Sequence, residues 1–147
     1  MFTMKATAAE TAGAFLLMEH RSVRGKPTPL HTHPEDEAIY VLEGELLVDI
    51  EGEQHRVGQG GLFVAPRGVA HAFMVTSETA HVLSLQTPGT GESFYRDAGE
   101  PVSATVDGSR PADWARLRAV AEQSDSIELL GPPPFAAALQ EQTAAPS

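Results

Sequence analysis

Two glycine-bounded stretches constrain this chain more than anything else in it. The first begins at Gly25, ends at Gly44 and holds His31, His33 and Glu37. The second begins at Gly60, passes Pro66 and Gly68, and reaches His71 and then Val75. In an extended chain successive side chains alternate between faces, so His31 and His33 point the same way. Glu37, four residues beyond His33, shares that face if the chain stays extended. Two imidazoles and a carboxylate converging on one spot form a donor set that borderline divalent metals favour. A His-x-His on a surface strand is common by itself. The second stretch, with its own histidine among turn residues, changes the weighing.

The surroundings of both stretches carry a strand pattern. Pro27 and Pro29 oppose helix and suit an extended approach to His31. Residues 37–42 predict a strand with Glu37, Ile39 and Val41 on one face and Ala38, Tyr40 and Leu42 on the other. Further short strands are expected over residues 14–20, 46–51, 54–57, 62–65, 71–75 and 80–86, with turns at Gly44, Gly52, Gly58–Gly61 and Pro66–Gly68. His71, Phe73 and Val75 share a face. Some eight short strands punctuated by Gly and Pro indicate an all-β sandwich or barrel.

The two stretches together resemble the paired motifs of the cupin superfamily. The first matches as Gly, five residues, His-x-His, three residues, Glu, six residues, Gly; the second as Gly, five residues, Pro-x-Gly, two residues, His. The match departs at the last position, where the family often has Asn and this chain has Val75. It extends from Gly25 to Val75, about a third of the chain. The resemblance implies a single small jelly-roll β-barrel with a metal inside it. His31, His33, Glu37 and His71 are then the ligands of one divalent transition metal per chain: Fe, Ni, Mn, Co, Cu or Zn. Three neutral imidazoles and a carboxylate leave one or two positions open on a five- or six-coordinate metal, as catalysis requires. Single-domain cupins of this kind include quercetinase-like dioxygenases, in which the corresponding Glu also takes a proton from the substrate; that makes Glu37 the catalytic residue. Ile39, Val41, Phe73, Val75 and Leu83 are the expected apolar walls of the substrate pocket. Val75 removes an amide from that pocket and points to a hydrophobic, flavonol- or polyketide-like substrate. His20, His55 and His81 match no motif, and His55, between Glu53 and Arg56 near a turn, suits a solvated surface.

The chain has 147 residues, enough for one domain with a sizeable core. Its expected parts are an N-terminal arm or edge strand over 1–13, the barrel over 14–88, an extension over 89–135 and a flexible tail over 136–147. Residues 90–109 read as polar and turn-rich. In the extension, residues 111–123 suggest a helix that Trp114 packs on the barrel, and residues 129–135 a strap that docks Phe135. Cysteine is absent, which excludes disulfides, thiolate ligands and a Cys nucleophile. With 20 acidic and 10 basic residues the net charge is −10, and the basic residues form no cluster, so nucleic acid is not an expected partner. No apolar run approaches the ~18 residues of a membrane span. No signal-peptide pattern is visible, so the expected place is the cytoplasm.

Three functional classes fit this reading. The first is a metal-dependent dioxygenase acting on a small enolisable or phenolic aromatic. The second is a non-redox isomerase, cyclase or lyase that uses the metal as a Lewis acid. The third is a small-molecule-binding cupin without catalysis, which the full ligand set argues against. Exposed sheet edges and apolar outer faces, with Tyr40, Leu42 and Val82 expected there, suggest a homodimer.

Overall fold

The computed structural model describes residues 1–99 and 112–144. Ten strands and three α-helices follow in order: β1 (Phe2–Ala6), β2 (Leu16–Val23), β3 (Leu30–Thr32), β4 (Asp36–Glu43), β5 (Glu45–Ile50), β6 (Glu53–Gly58), β7 (Leu62–Ala65), β8 (His71–Val75), β9 (Thr79–Thr87), α1 (Glu92–Ala98), α2 (Trp114–Glu122), β10 (Glu128–Gly131) and α3 (Ala136–Ala144). The strands form two five-stranded antiparallel sheets, β1-β2-β9-β4-β7 and β10-β3-β8-β5-β6. The strand pattern implied an all-β sandwich or barrel and the resemblance a jelly roll, and the two sheets agree with both.

The two sheets close on an apolar core of Ile39, Val41, Leu46, Val48, Phe63, Val75, Ala80 and Val82. Along β4 the alternation is the expected one, with Glu37, Ile39 and Val41 inside and Tyr40 outside. Along β9 it is inverted. Ala80, Val82, Ser84 and Gln86 point inward, so Val82 belongs to the core and not to an outer face, and Leu83 lies on the opposite side. The strand is apolar at both parities, and periodicity alone cannot orient it. Its register with β4 does so: Glu37 faces Gln86, Ile39 faces Ser84 and Val41 faces Val82. Directly opposed residues of an antiparallel pair share a face.

Two motif glycines hold conformations that other residues resist. Gly44 joins β4 to β5 at φ +86°, where an added Cβ would lie 2.3 Å from the Thr79 carbonyl oxygen. Gly68 sits at φ +75° and donates its N–H to the His33 carbonyl at 2.9 Å, tying the second motif to the first.

The chain outside the barrel differs most from expectation. β1 is an edge strand paired with β2, one of the two expected forms of the arm. Residues 92–98, within the stretch read as turns, form α1; residues 100–111, with Pro111 of the expected helix, lie outside the described residues. The expected helix is α2. Asp113 caps it by accepting from the Arg116 N–H at 2.9 Å, and the Arg116 guanidinium reaches the carbonyls of Asp97 and Gly99 at the end of α1. Residues 136–144, expected to fray, form α3. Its Ala138 and Leu139 pack with Phe135 on Leu47, Ala72 and Met74, the outer face of the second sheet. That cover is why Leu46, Leu47, Val48 and Asp49 are all buried on β5 instead of alternating.

Candidate metal centre

His31 comes from β3, His33 from the turn after it, Glu37 from the start of β4 and His71 from the start of β8. His31 and His71 are register partners across β3 and β8, so their rings lie side by side with centroids 4.3 Å apart. The His33 ring stands 4.9 Å from that of His71. One ligand atom from each of the four residues lies within 4.8 Å of the others, and all four residues are buried.

The hydrogen bonds assign the tautomers. His31 Nδ1 lies 2.8 Å from the Pro29 carbonyl, His33 Nδ1 3.0 Å from the Glu35 carbonyl and His71 Nδ1 2.9 Å from the Val69 carbonyl. A carbonyl oxygen only accepts, so each Nδ1 carries the proton and each Nε2 presents its lone pair. Two of these lone pairs, on His33 and His71, lie 3.2 and 3.0 Å from Glu37 Oε2. Electron pairs gathered this closely repel unless a cation lies among them. The donor set therefore fits a metal, and protons compete for the same place.

The titration pattern follows the geometry. Burial pulls the His31 pKa down to about 4, with the neighbouring His71 adding to it. Burial acts against the charged form of His33 too, but the Glu37 carboxylate outweighs it and raises the pKa. Burial works against the Glu37 carboxylate, yet the hydrogen bonds and charge that His33 and His71 supply when their Nε2 atoms are protonated hold it well below the usual carboxylate range.

Glu37 has a second set of partners that the motif reading missed. Its Oε1 accepts from Ser84 Oγ at 2.6 Å and from Gln86 Nε2 at 3.4 Å, and the same Gln86 nitrogen donates to the Tyr95 hydroxyl at 2.8 Å. The signal was present as Ser84 and Gln86, two polar residues two apart among the apolar Val82, Leu83 and Leu85. Periodicity did not reveal it, because the alternate face of the same strand carries Leu83, an expected pocket wall, and Leu85. Glu35, fully buried beside His33, accepts from Thr90 Oγ1.

A cavity of about 250 Å3 reaches the ligands at His31 and Glu37. Of the expected walls, Phe73 lines it. Ile39, Val41 and Val75 are packed in the closed core, and Leu83 is on the other face of β9. Pro27, Thr28 and Pro29 of the first motif line it too, and its aromatic walls come largely from outside the motifs: Phe2 of β1, Phe94 and Tyr95 of α1, and Trp114 of α2 beside Leu117. Trp114, expected to pack α2 on the barrel, is 40% exposed and stands at this cavity. His20 lines it as well. His55 is exposed beside Glu53, and His81 pairs with Glu19 at 2.9 Å on the outer face. Two larger open grooves, of about 670 and 740 Å3, run along α2; His33 lines the first, and Glu37 lines neither.

Residues 21–86 match the family model of the cupin domain. Quercetin 2,3-dioxygenase of Bacillus subtilis (strain 168) is 24% identical over 102 residues, which make up 69% of this chain and 30% of that protein. The chain thus spans under a third of that relative's length. Among solved structures, KdgF from Halomonas sp. superposes with a TM-score of 0.54 at 26% identity, over 59% of this chain and 76% of that one. The polyketide cyclase RemF from Streptomyces resistomycificus gives 0.53 at 28% identity, over 58% and 63%.

Proposed function

We propose that this chain, a member of the cupin superfamily, is a metal-dependent enzyme, and more closely a dioxygenase acting on a small enolisable or phenolic aromatic. One observation carries the reading. Three buried imidazoles, each oriented by a backbone carbonyl, aim Nε2 with Glu37 Oε2 at one point, and His31 and Glu37 also line an apolar cavity. A divalent transition metal held by His31, His33, Glu37 and His71 would supply Lewis acidity and, where it is redox-active, electron transfer to dioxygen; the donors admit iron, nickel, manganese, cobalt, copper and zinc.

The protein's own residues do the rest. Phe73, Trp114 and Leu117 hold the ring of the substrate and exclude bulk water. Glu37, kept ionised by His33 and His71 and oriented by hydrogen bonds from Ser84 and Gln86, accepts the proton of the substrate hydroxyl. The relationship to a quercetin 2,3-dioxygenase supports oxygen chemistry. The likeness to a polyketide cyclase supports a second reading, a non-redox isomerase, cyclase or lyase on the same scaffold.

The test follows flavonols and related enols in air and without oxygen, reading substrate absorbance and oxygen consumption together. Oxygen-dependent turnover is expected. Glu37→Gln should retain much of the metal yet lose turnover by roughly a hundredfold or more, the scale of general-base removal. Turnover without oxygen would replace the dioxygenase with the Lewis-acid reading, and no turnover by metal-loaded protein would overturn both for these substrates.

A further inference from the structure

The cavity contains a polar group that the metal chemistry does not use. His20 lies on β2 in the inward row with Val82 and Val41, whereas Glu37 lies in the row of Gln86 and Leu16, two inward positions further along the same strands. Both side chains line the same space of about 250 Å3. The cavity therefore has the metal ligands at one place on its wall and a lone imidazole at another, with aromatic rings between. The His20 ring packs 6.0 Å from Phe2, and Phe2 meets Tyr95 edge-on at 5.6 Å.

No described residue hydrogen-bonds the His20 ring nitrogens, unlike those of the three ligand histidines. Burial pulls its pKa down to about 4, and the N-terminal amine adds to this against the opposing pull of Glu37. At neutral pH the ring is then uncharged and carries one N–H and one bare lone pair, on a residue that lines the cavity. No Lys or Arg is among the described lining residues, so these walls offer a carboxylate no side-chain cation. A hydroxyl would find an acceptor.

We propose that His20 is a substrate-binding residue that accepts a hydrogen bond from a second hydroxyl of an uncharged aromatic, one whose first oxygen is held at the ligand end. This deepens the reading of the site as one for phenolic or enolic rings and rests on it. It restricts the substrate class to polyhydroxylated rings and selects against carboxylated ones. A ligand that left His20 without a partner would also leave a polar group desolvated and unpaired.

Trp114 is the sole tryptophan of the chain and lines the cavity, so its fluorescence reports occupancy. The experiment titrates metal-loaded protein with 3-hydroxyflavone, with its derivatives bearing one added ring hydroxyl, and with carboxylated counterparts. At least one hydroxylated derivative should bind wild-type protein about five- to tenfold tighter than the parent, the worth of one buried hydrogen bond. The carboxylated compounds should show no gain. His20→Phe should abolish the preference, and His20→Gln, whose amide oxygen still accepts, should keep part of it. Binding of the parent with no gain from any hydroxyl, or a preference that survives in His20→Phe, overturns this proposal and leaves the aromatic reading standing. Failure of every flavonol to quench Trp114 in wild-type protein overturns both.

Discussion

Each ligand histidine divides its two nitrogens between two duties. Nδ1 is spent on a carbonyl two residues away in the chain, and Nε2 is thereby left bare and aimed. The chain thus orients these rings by contacts local in sequence. Purified protein should carry about one divalent ion per chain, and His33→Ala and His71→Ala should lose it in elemental analysis. Acid should act in the same direction. The His33 pKa is raised by Glu37 in the metal-free protein, so its Nε2 takes a proton at a higher pH than an ordinary imidazole. Since a ligand histidine must be neutral to bind, metal affinity is full above that raised value and falls as pH drops through it. Metal affinity measured by competition between pH 8 and pH 5 should decline steadily; a flat profile would contradict the assignment of His33 as a ligand.

At the level of elements, the barrel depends on segments that carry none of the motif. Phe135 and α3 cover the outer face of β5 and β8, the strand that delivers His71. Phe135 is 1% exposed, and truncating a buried aromatic costs about 3–5 kcal/mol. Phe135→Ala should therefore lower the unfolding free energy from urea titration by that amount while leaving the metal stoichiometry unchanged, because no candidate ligand packs with the replaced ring. The strap residues were legible because prolines precede a lone aromatic. The helix after them was not. Its position near the chain end suggested fraying, whereas its run of Ala, Leu, Gln and Glu has good helix propensity and needed only a surface to pack on. α1 was missed for the opposite reason: seven residues between glycines give too short a window for periodicity, and its one buried side chain is Phe94.

Over the whole molecule, the first sheet keeps an apolar outer surface. Tyr40 pairs with Leu62 and Ala38 with Val64 across β4 and β7; Tyr40, Leu62 and Val64 are 42%, 57% and 50% exposed. β7 is also the edge of its sheet. An apolar face at an open edge is a self-complementary surface for a second copy about a twofold axis. Light scattering at micromolar concentration should give a dimer mass for wild-type protein and a monomer mass for Leu62→Glu with Val64→Glu; a wild-type monomer would remove the expectation. Among the described residues no helix is long and apolar enough to cross a membrane.

The sequence by itself singled out the candidate ligands and the fold class. His31, His33, Glu37 and His71 are held by short-range spacing, by strand alternation and by glycines at positive φ, all of which act within a few residues. It also carried the inward face of β4, where polar and apolar residues alternate cleanly. Tertiary structure decided the rest. β9 is apolar on both faces, and only its register with β4 turned Ser84 and Gln86 toward Glu37 and Leu83 away. The expected pocket residues Ile39, Val41 and Val75 were consumed by the core because both sheets close on them. The cavity wall was supplied instead by Phe2, Tyr95 and Trp114, which lie far from the motifs in the chain. No local pattern records such contacts, because they arise from where β1, α1 and α2 land on the finished barrel.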